Sequence, residues 1–415
     1  MYQFNINEQN INKKQKKRKN FMENDIQDFK SEWFGNIKND LLSGLVTCMA
    51  LIPETIGFAL VAGVNPMVAI YSSFCISVVI SFFGGRPAMI SAAAGSMALV
   101  LVTLIADYGI EYMLIATILA GIFQVILGLF KVGNLIKYIS DPIMTGFVNA
   151  LGIMMFKSQL KHFKGGLILI ILGLIGIAII YLLPKLTKVI PAPIVSIIVI
   201  YLIVFIFKID IPRLGDLGPI TTELPRFMVP NVPYNFETLK IIFTYSISLA
   251  IVGLLESLLT AQLLDDLTKT HSNKNRECVG QGLGNITAGF FGGIAGCGMI
   301  GQTILNHNYG GKGRLSTFSA GIFILFLVIV FNKFIVSVPI VALSSVMVVI
   351  AISTFKWKSI IDINKIPIRD TIIMIVTVII VLLTNNLAYG VVVGFILEKL
   401  LGVFYKKDKI KRGSI

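Results

Sequence analysis

Residues 45–63, LVTCMALIPETIGFALVAG, hold one charged residue, Glu54, within a long apolar run. A second run of this kind, LAIVGLLESLLTAQLL at residues 249–264, holds Glu256. A carboxylate within a membrane-spanning segment is costly to bury, so such a residue is a candidate functional group. The two runs lie about half a chain apart, which indicates a membrane protein built from two related halves.

Each run is followed by the same four residues, Phe-Phe-Gly-Gly, at 82–85 and again at 290–293. Small residues come next in both places, SAAAGS at 91–96 and GIAGCGMIG at 293–301. In membrane transporters, Gly-interrupted segments at corresponding places in two halves indicate the binding site. The repeated pattern therefore predicts a duplicated transporter fold with its site at these segments.

The composition agrees with a membrane protein. Of 415 residues, 55% are hydrophobic and 14% charged, and the mean hydropathy is +0.83. The net charge of +14 would suit a nucleic-acid-binding protein, but basic clusters at 13–19 and 406–412 flank the first and last apolar runs. Basic residues beside spans stay in the cytoplasm. We therefore predict cytoplasmic termini and a multi-pass protein of the cell (inner) membrane, in contact with lipid and not with nucleic acid.

The four cysteines and three histidines show no spacing typical of a disulfide framework or a metal site. No nucleophile–base pair is visible either, so neither an enzyme nor a cofactor is predicted.

Hydropathy predicts an all-α protein with fourteen transmembrane segments. They lie at 41–62, 67–83, 88–105, 112–130, 142–156, 166–183, 190–208, 239–264, 278–292, 294–305, 315–332, 337–353, 369–384 and 387–404. The predicted regions are a basic cytoplasmic arm at 1–36, a seven-span repeat at 37–208, an extracytoplasmic loop at 209–237, a second repeat at 238–405 and a basic cytoplasmic tail at 406–415. Because seven is odd, the second repeat enters the membrane in the opposite sense.

The third and tenth spans are predicted to be half-helices. The tenth is too short to cross a bilayer at 1.5 Å per residue, and the third begins in small residues. A half-helix that starts at the membrane centre presents free N–H groups and partial positive charge there. Two facing starts would bind an anion, although small residues also serve close helix packing.

The two intramembrane glutamates have alternative roles. Glu256 either exchanges a proton or holds a coupling cation, with Na⁺ as an option, or it is a structural group. Glu54 follows Pro53 and is predicted to line the cavity. Asp265 and Asp266 are interpreted as the solvated end of the eighth span.

Eight motifs, spread over both halves, resemble those of the SulP anion transporters, the sulfate permeases of the solute carrier 26 group. They are NIKNDLLSGL at 36–45, IPE at 52–54, AGVNP at 62–66, GGRP at 84–87, DPIMTGF at 141–147, ESLL at 256–259, GCGMIGQT at 296–303 and GGKGRLS at 310–316. The resemblance implies fourteen spans as an inverted repeat, divided into core and gate domains.

The resemblance also implies site residues between the starts of spans 3 and 10. The anion-binding residues it indicates are Glu54, Phe58, Ala93, Ala94, Gly95, Gly298, Met299 and Gly301. Glu256 takes the coupling-ion position, with Thr303 beside it. Two departures stand out: Gln302 occupies a position that is usually Arg in animal members, and a STAS domain is not expected after the last span.

These features predict a bacterial secondary active transporter of small anions, coupled to H⁺ or Na⁺. Sulfate and bicarbonate are the first candidate substrates, and dicarboxylates are further ones. A homodimer is an option. The rivals are a nucleobase permease of the same fold, which would need an acidic side chain in span 10, an anion channel, and a membrane scaffold. Residues 297–303 contain no acid, which argues against the permease.

Overall fold

We analysed the protein as a computed structural model that describes residues 30–134, 140–164, 166–187, 191–218, 220, 222–384 and 386–412, with side chains as far as residue 401. Residues 1–29 of the predicted arm and 413–415 of the predicted tail lie outside these ranges.

Fourteen helices longer than eight residues are described, and each overlaps one predicted span. They are α1 Ile37–Ala62, α2 Pro66–Phe83, α3 Gly95–Tyr108, α4 Ile110–Leu129, α5 Asp141–Gln159, α6 Leu167–Leu186, α7 Ala192–Ile206, α8 Phe236–Thr268, α9 Lys274–Phe290, α10 Ile300–Asn308, α11 Arg314–Val330, α12 Ile340–Thr354, α13 Ile368–Thr384 and α14 Leu387–Arg412. Among the described helices, α1, α2, α4, α6 and α8 combine at least 18 residues with the hydropathy of a membrane span. The predicted helical membrane fold is confirmed.

Local sequence explains where neighbouring helices separate. Gly63 ends α1 in the left-handed conformation, with a φ of 76° that glycine adopts at little cost. Asn65 then caps α2, because its side chain accepts a hydrogen bond from the Met67 N–H at 2.9 Å, and Pro66 occupies the first helical position.

Spans 3 and 10 are each a short strand followed by a helix. Strand β1, Ser91–Ala93, pairs antiparallel with β2, Gly296–Gly298, and Ala92 faces Cys297 at the centre. The prediction of helix alone missed these strands. Non-helical backbone at membrane depth requires burial in protein, and both strands are buried. The predicted half-helices themselves, α3 and α10, are confirmed.

The helices pack as two groups. The core contains α1–α4 and α8–α11, and the gate contains α5–α7 and α12–α14. Contacts recur when the two halves are exchanged: α4 packs on α9 as α11 packs on α2, and α5 packs on α13 as α12 packs on α6. This recurrence is the pattern of a duplicated fold with internal symmetry.

The two half-helices run to opposite ends of the molecule. Glu111, just after α3, accepts a hydrogen bond from the Asn231 N–H in the long loop between the halves. Gly310, just after α10, accepts one from Asn36 at the start of α1. The helix starts therefore meet near the middle with opposed directions.

The two Phe-Phe-Gly-Gly segments place the backbone close to the other half. A side chain at Gly85 would collide with the Asn273 carbonyl and the Glu277 N–H at the start of α9. One at Gly293 would lie 2.7 Å from Ser72 Cα on α2. The repeated motif thus ends α2 and α9 and directs the chain inward to β1 and β2.

The prediction that Asp265 lies at a solvated helix end is wrong. Its side chain is only 6% exposed and forms ion pairs with Arg86 at 3.2 Å and Lys274 at 2.8 Å. Arg86 lies in the turn after α2, and this turn folds against the C-terminal end of α8, which buries Asp265. The two cationic partners offset the cost of burying this carboxylate.

Candidate functional site

The crossing of β1 and β2 is held by serine side chains from the surrounding core helices. Ser73 on α2 accepts the Ala93 N–H at 3.2 Å and also lies 3.2 Å from the Thr55 hydroxyl. Ser257 on α8 accepts the Gly298 N–H at 2.9 Å. Each strand thus has one N–H group held by a serine of its own half, but the two serines lie on α2 and α8, which are not counterparts.

A fully buried amide cluster fixes the outer edge of β2. Asn285 accepts the Gly296 N–H at 2.8 Å and donates to the Gly296 carbonyl at 3.1 Å. Gln281 donates to that carbonyl at 2.9 Å, and Asn285 also donates to Gln124 at 2.8 Å. These bonds replace the missing neighbouring strand and satisfy the buried backbone.

Both half-helices begin without a side-chain cap. The residues before them, Ala94 and Met299, are extended and supply no capping oxygen. The first N–H groups of α3 and α10 therefore have no side-chain acceptor of this kind, and they carry the positive end of the helix dipole. Such a start attracts anions without a fixed cationic side chain.

Glu256 reaches the start of α3 from α8. Its Oε2 accepts the Ser96 hydroxyl at 2.6 Å and the Cys297 thiol at 2.7 Å. Ser96 lies in the first turn of α3, and Cys297 lies at the centre of β2. The half-buried carboxylate therefore joins a helix of its own half to the half-helix of the other half.

Glu54 makes the corresponding connection from α1 to α10. Its carboxyl group lies beside the side chain of Gln302, in the first turn of α10. Each half thus contributes one intramembrane glutamate to the half-helix start of the other half. The arrangement is symmetric in position but not in chemistry, because one partner is an amide and the other a hydroxyl with a thiol.

Phe58 lies at the start of α3, together with a residue from the gate. A β-carbon at Gly95 would lie 2.8 Å from Phe58 Cε1 and 3.3 Å from Met155 Cε. Ala93, Ala94 and Gly95 are buried. This half-helix start is therefore covered from both the core and the gate.

The residues predicted around α10 divide into packed and open positions. Gly298 packs closely, because a β-carbon there would lie 2.9 Å from Ser257 Cα and 3.0 Å from Met89 Cε. Gly301 is exposed, and a β-carbon there would meet nothing within 4 Å. Met299 lies between them and is 8% exposed.

Thr303 is placed differently from Glu256. Its hydroxyl accepts the backbone N–H of Ile90 at 3.0 Å, which ties α10 to the segment before β1. Its role beside the coupling ion remains a prediction. Among the described residues, no group of three or more His, Cys, Asp or Glu side chains could hold a metal ion.

Sequence reasoning missed Ser96, Cys297 and Met155 as site residues. Ser96 directly follows Gly95 and Cys297 directly precedes Gly298, so both adjoin predicted site residues. Met155 carries no signal of this kind, because it is one apolar residue on an apolar helix of the gate.

Known proteins match most of the chain in sequence. The sequence profile of the sulfate permease family matches residues 37–168 and 165–377. The putative sulfate transporter YbaR of Bacillus subtilis is 52% identical over 383 residues, covering 92% of this chain and 80% of that protein. The bicarbonate transporter BicA of Picosynechococcus is 26% identical, over 89% of this chain and 71% of that protein.

Solved structures share the fold. The transmembrane domain of a cyanobacterial bicarbonate transporter BicA aligns with a TM-score of 0.77 and 23% identity, over 88% of this chain and 98% of that domain. Murine Slc26a9, described as an anion transporter in the inward-facing state, aligns with a TM-score of 0.78 and 20% identity, over 89% of this chain and 69% of that protein. This family consists of membrane transporters and not of enzymes. The chain belongs to the sulfate permease family.

Proposed function

We propose that the protein is a secondary active transporter of small anions that works by alternating access of one site between core and gate. The observation that supports this most strongly is the meeting of two uncapped helix starts at the β1–β2 pair. Backbone N–H groups and helix dipoles attract an anion there. An anion held without a fixed cation is released more readily, which transport requires.

Sulfate and bicarbonate are the first candidate substrates, and small dicarboxylates come next. The names of the relatives support the first two, since YbaR is described as a putative sulfate transporter and BicA as a bicarbonate transporter. Nucleobases are poorer candidates because residues 297–303 supply no acidic group.

Glu256 is the proposed coupling residue, and H⁺ is the favoured coupling ion. Its Oε2 accepts hydrogen bonds from Ser96 and Cys297, and it can keep accepting them while the other carboxyl oxygen takes up a proton. Na⁺ is a hard cation that prefers several oxygen ligands, and the thiol of Cys297 is a soft group. Protonation of Glu256 would also remove negative charge from the place that an anion enters.

Purified protein in sealed liposomes tests the proposal. Uptake of labelled sulfate, bicarbonate and a dicarboxylate is measured with no gradient, with an inward pH gradient and with an inward Na⁺ gradient. We expect uphill accumulation of at least one anion under the pH gradient. Accumulation that follows only the Na⁺ gradient would assign Na⁺ as the coupling ion instead.

The alternatives give distinct results in the same membranes. Unitary currents in planar bilayers would indicate an anion channel, and uptake of labelled uracil would indicate a nucleobase permease. Folded protein that moves none of the anions would contradict the proposed function.

A further inference from the structure

Two methionines of the gate each lie against a glycine of the core. Each fills the space that a side chain at the glycine would occupy, and we call this space a notch. Met347 on α12 lies against Gly57 on α1, where a β-carbon would be 2.6 Å from its Cγ. Met155 on α5 lies against Gly95, at the first turn of α3. Both contacts join one group of helices to the other, and Met347 is fully buried.

A glycine in the middle of a helix needs a reason. It costs roughly 0.5–1 kcal/mol relative to alanine because it loses more conformational freedom on folding. Gly57 is an interior residue of α1, and the space beside it is filled by the side chain of Met347. Close approach of the gate therefore accounts for the glycine.

The notches adjoin the site. Gly57 is three residues after Glu54 and next to Phe58, whose ring lies against Gly95. The gate therefore touches the core within one helical turn of Glu54. The start of α10 lacks such a cover at Gly301, where a side chain would meet nothing within 4 Å.

Resting on the proposed function, we propose that Met155 and Met347 with Gly95 and Gly57 form a sliding seam that closes the α3 side of the site. Methionine suits this role because its unbranched side chain adapts to changing surfaces. A glycine surface offers no side chain to interlock with it. Opening this side of the site requires both methionines to leave their notches.

A reversible cross-link tests the seam. A β-carbon at Gly57 would lie 2.6 Å from Met347 Cγ, which is one bond from Met347 Cβ. In Gly57→Cys/Met347→Cys the two β-carbons therefore lie about 4 Å apart, a distance that suits a disulfide. We expect an oxidant to form the bond and stop anion flux, and a reductant to restore flux. Each single-cysteine variant serves as control for the native cysteines, and its flux should be the same under oxidant and under reductant. A disulfide that forms fully while flux continues would overturn the seam.

Substitutions without cross-linking provide a second test. Gly57→Ala places a methyl group against Met347, so flux per folded protein should fall by about tenfold through overpacking. Met347→Ala removes the contacting atoms, and the double variant should recover most of the flux. Failure of this rescue would contradict the seam.

A matched control lies inside the gate. A β-carbon at Gly176 would be 2.7 Å from Ile200 Cδ1, with Ser345 also near, and all three residues belong to gate helices. Gly176→Ala should leave flux per folded protein unchanged, and an equal loss there would attribute the effect of Gly57→Ala to general overpacking. Flux by the parent protein is measured first, so failure of the proposed function is recognised separately.

Discussion

The starts of α3 and α10 occupy equivalent places in the two halves but differ in access. At α3, Gly95 is covered by Phe58 and Met155, and Ser96 donates to Glu256. At α10, Ile300 and Gly301 are exposed. The backbone around the site is therefore similar in the two halves, but the two helix starts differ in exposure. The proposed alternating access requires such a difference, because the site would be reached from one side at a time.

The largest expected effect separates the two glutamates. Glu256→Gln keeps the size of the side chain and removes its titratable charge, so gradient-driven accumulation should collapse to passive equilibration. Glu54→Gln should reduce the transport rate but retain accumulation, because Glu54 lies beside Gln302, whereas the Ser96 and Cys297 side chains bond to Glu256. Uptake against a pH gradient in liposomes decides. Undiminished accumulation by Glu256→Gln would leave that residue with a structural role.

Side chains added at the two helix starts should separate binding from folding. Ala94→Leu overpacks a buried position and should lower the free energy of unfolding by about 1–3 kcal/mol. It should also weaken anion binding. Gly301→Leu points into open space and should change stability by roughly 0.5 kcal/mol or less. It should still weaken anion binding about tenfold by blocking the α10 start. Thermal unfolding and calorimetry measure both quantities, and an unchanged affinity in Gly301→Leu would place the anion elsewhere.

A cationic side chain at residue 302 tests whether this position of α10 faces the bound anion. Because Gln302 lies beside Glu54, the lysine of Gln302→Lys should pair with that carboxylate and alter anion affinity little. In Gln302→Lys/Glu54→Gln the charge is free, and affinity should rise by about tenfold. Equal affinities for the single and double variants would show that residue 302 does not face the anion.

The last prediction compares the two serines that hold the strands β1 and β2, and it concerns stability alone. Ser73→Ala and Ser257→Ala each leave one buried strand N–H without its acceptor, at a cost of about 1–3 kcal/mol. Both variants should lose similar stability, and chemical unfolding in detergent measures it. A loss confined to one of them would mean that the two strands are held differently.

The fold was predictable because its signals are local. Apolar runs gave the fourteen helices, and the small residues beside each Phe-Phe-Gly-Gly gave the two half-helices. The strands were not predicted, because three small residues are too few to show the alternation of apolar and polar residues that indicates a strand. Their extended conformation comes from pairing with each other across the chain.

The site was predictable in part. Acidic residues within membrane spans are rare because burying their charge costs free energy, so Glu54 and Glu256 were found as candidates. Their partners were not, because Ser96 is 160 positions from Glu256 in the chain. Glycine has two uses that sequence cannot separate: Gly301 leaves open space, whereas Gly298 lets β2 pack against Ser257.

The most direct test of the central claim is protection of Gly301→Cys from a thiol reagent by the anion that the flux assay identifies. The native cysteines are buried and provide the background measured on the parent protein. The account predicts rapid modification of the introduced cysteine and a clear slowing when the anion is bound. Modification at the same rate with and without saturating anion would contradict an anion site at the start of α10.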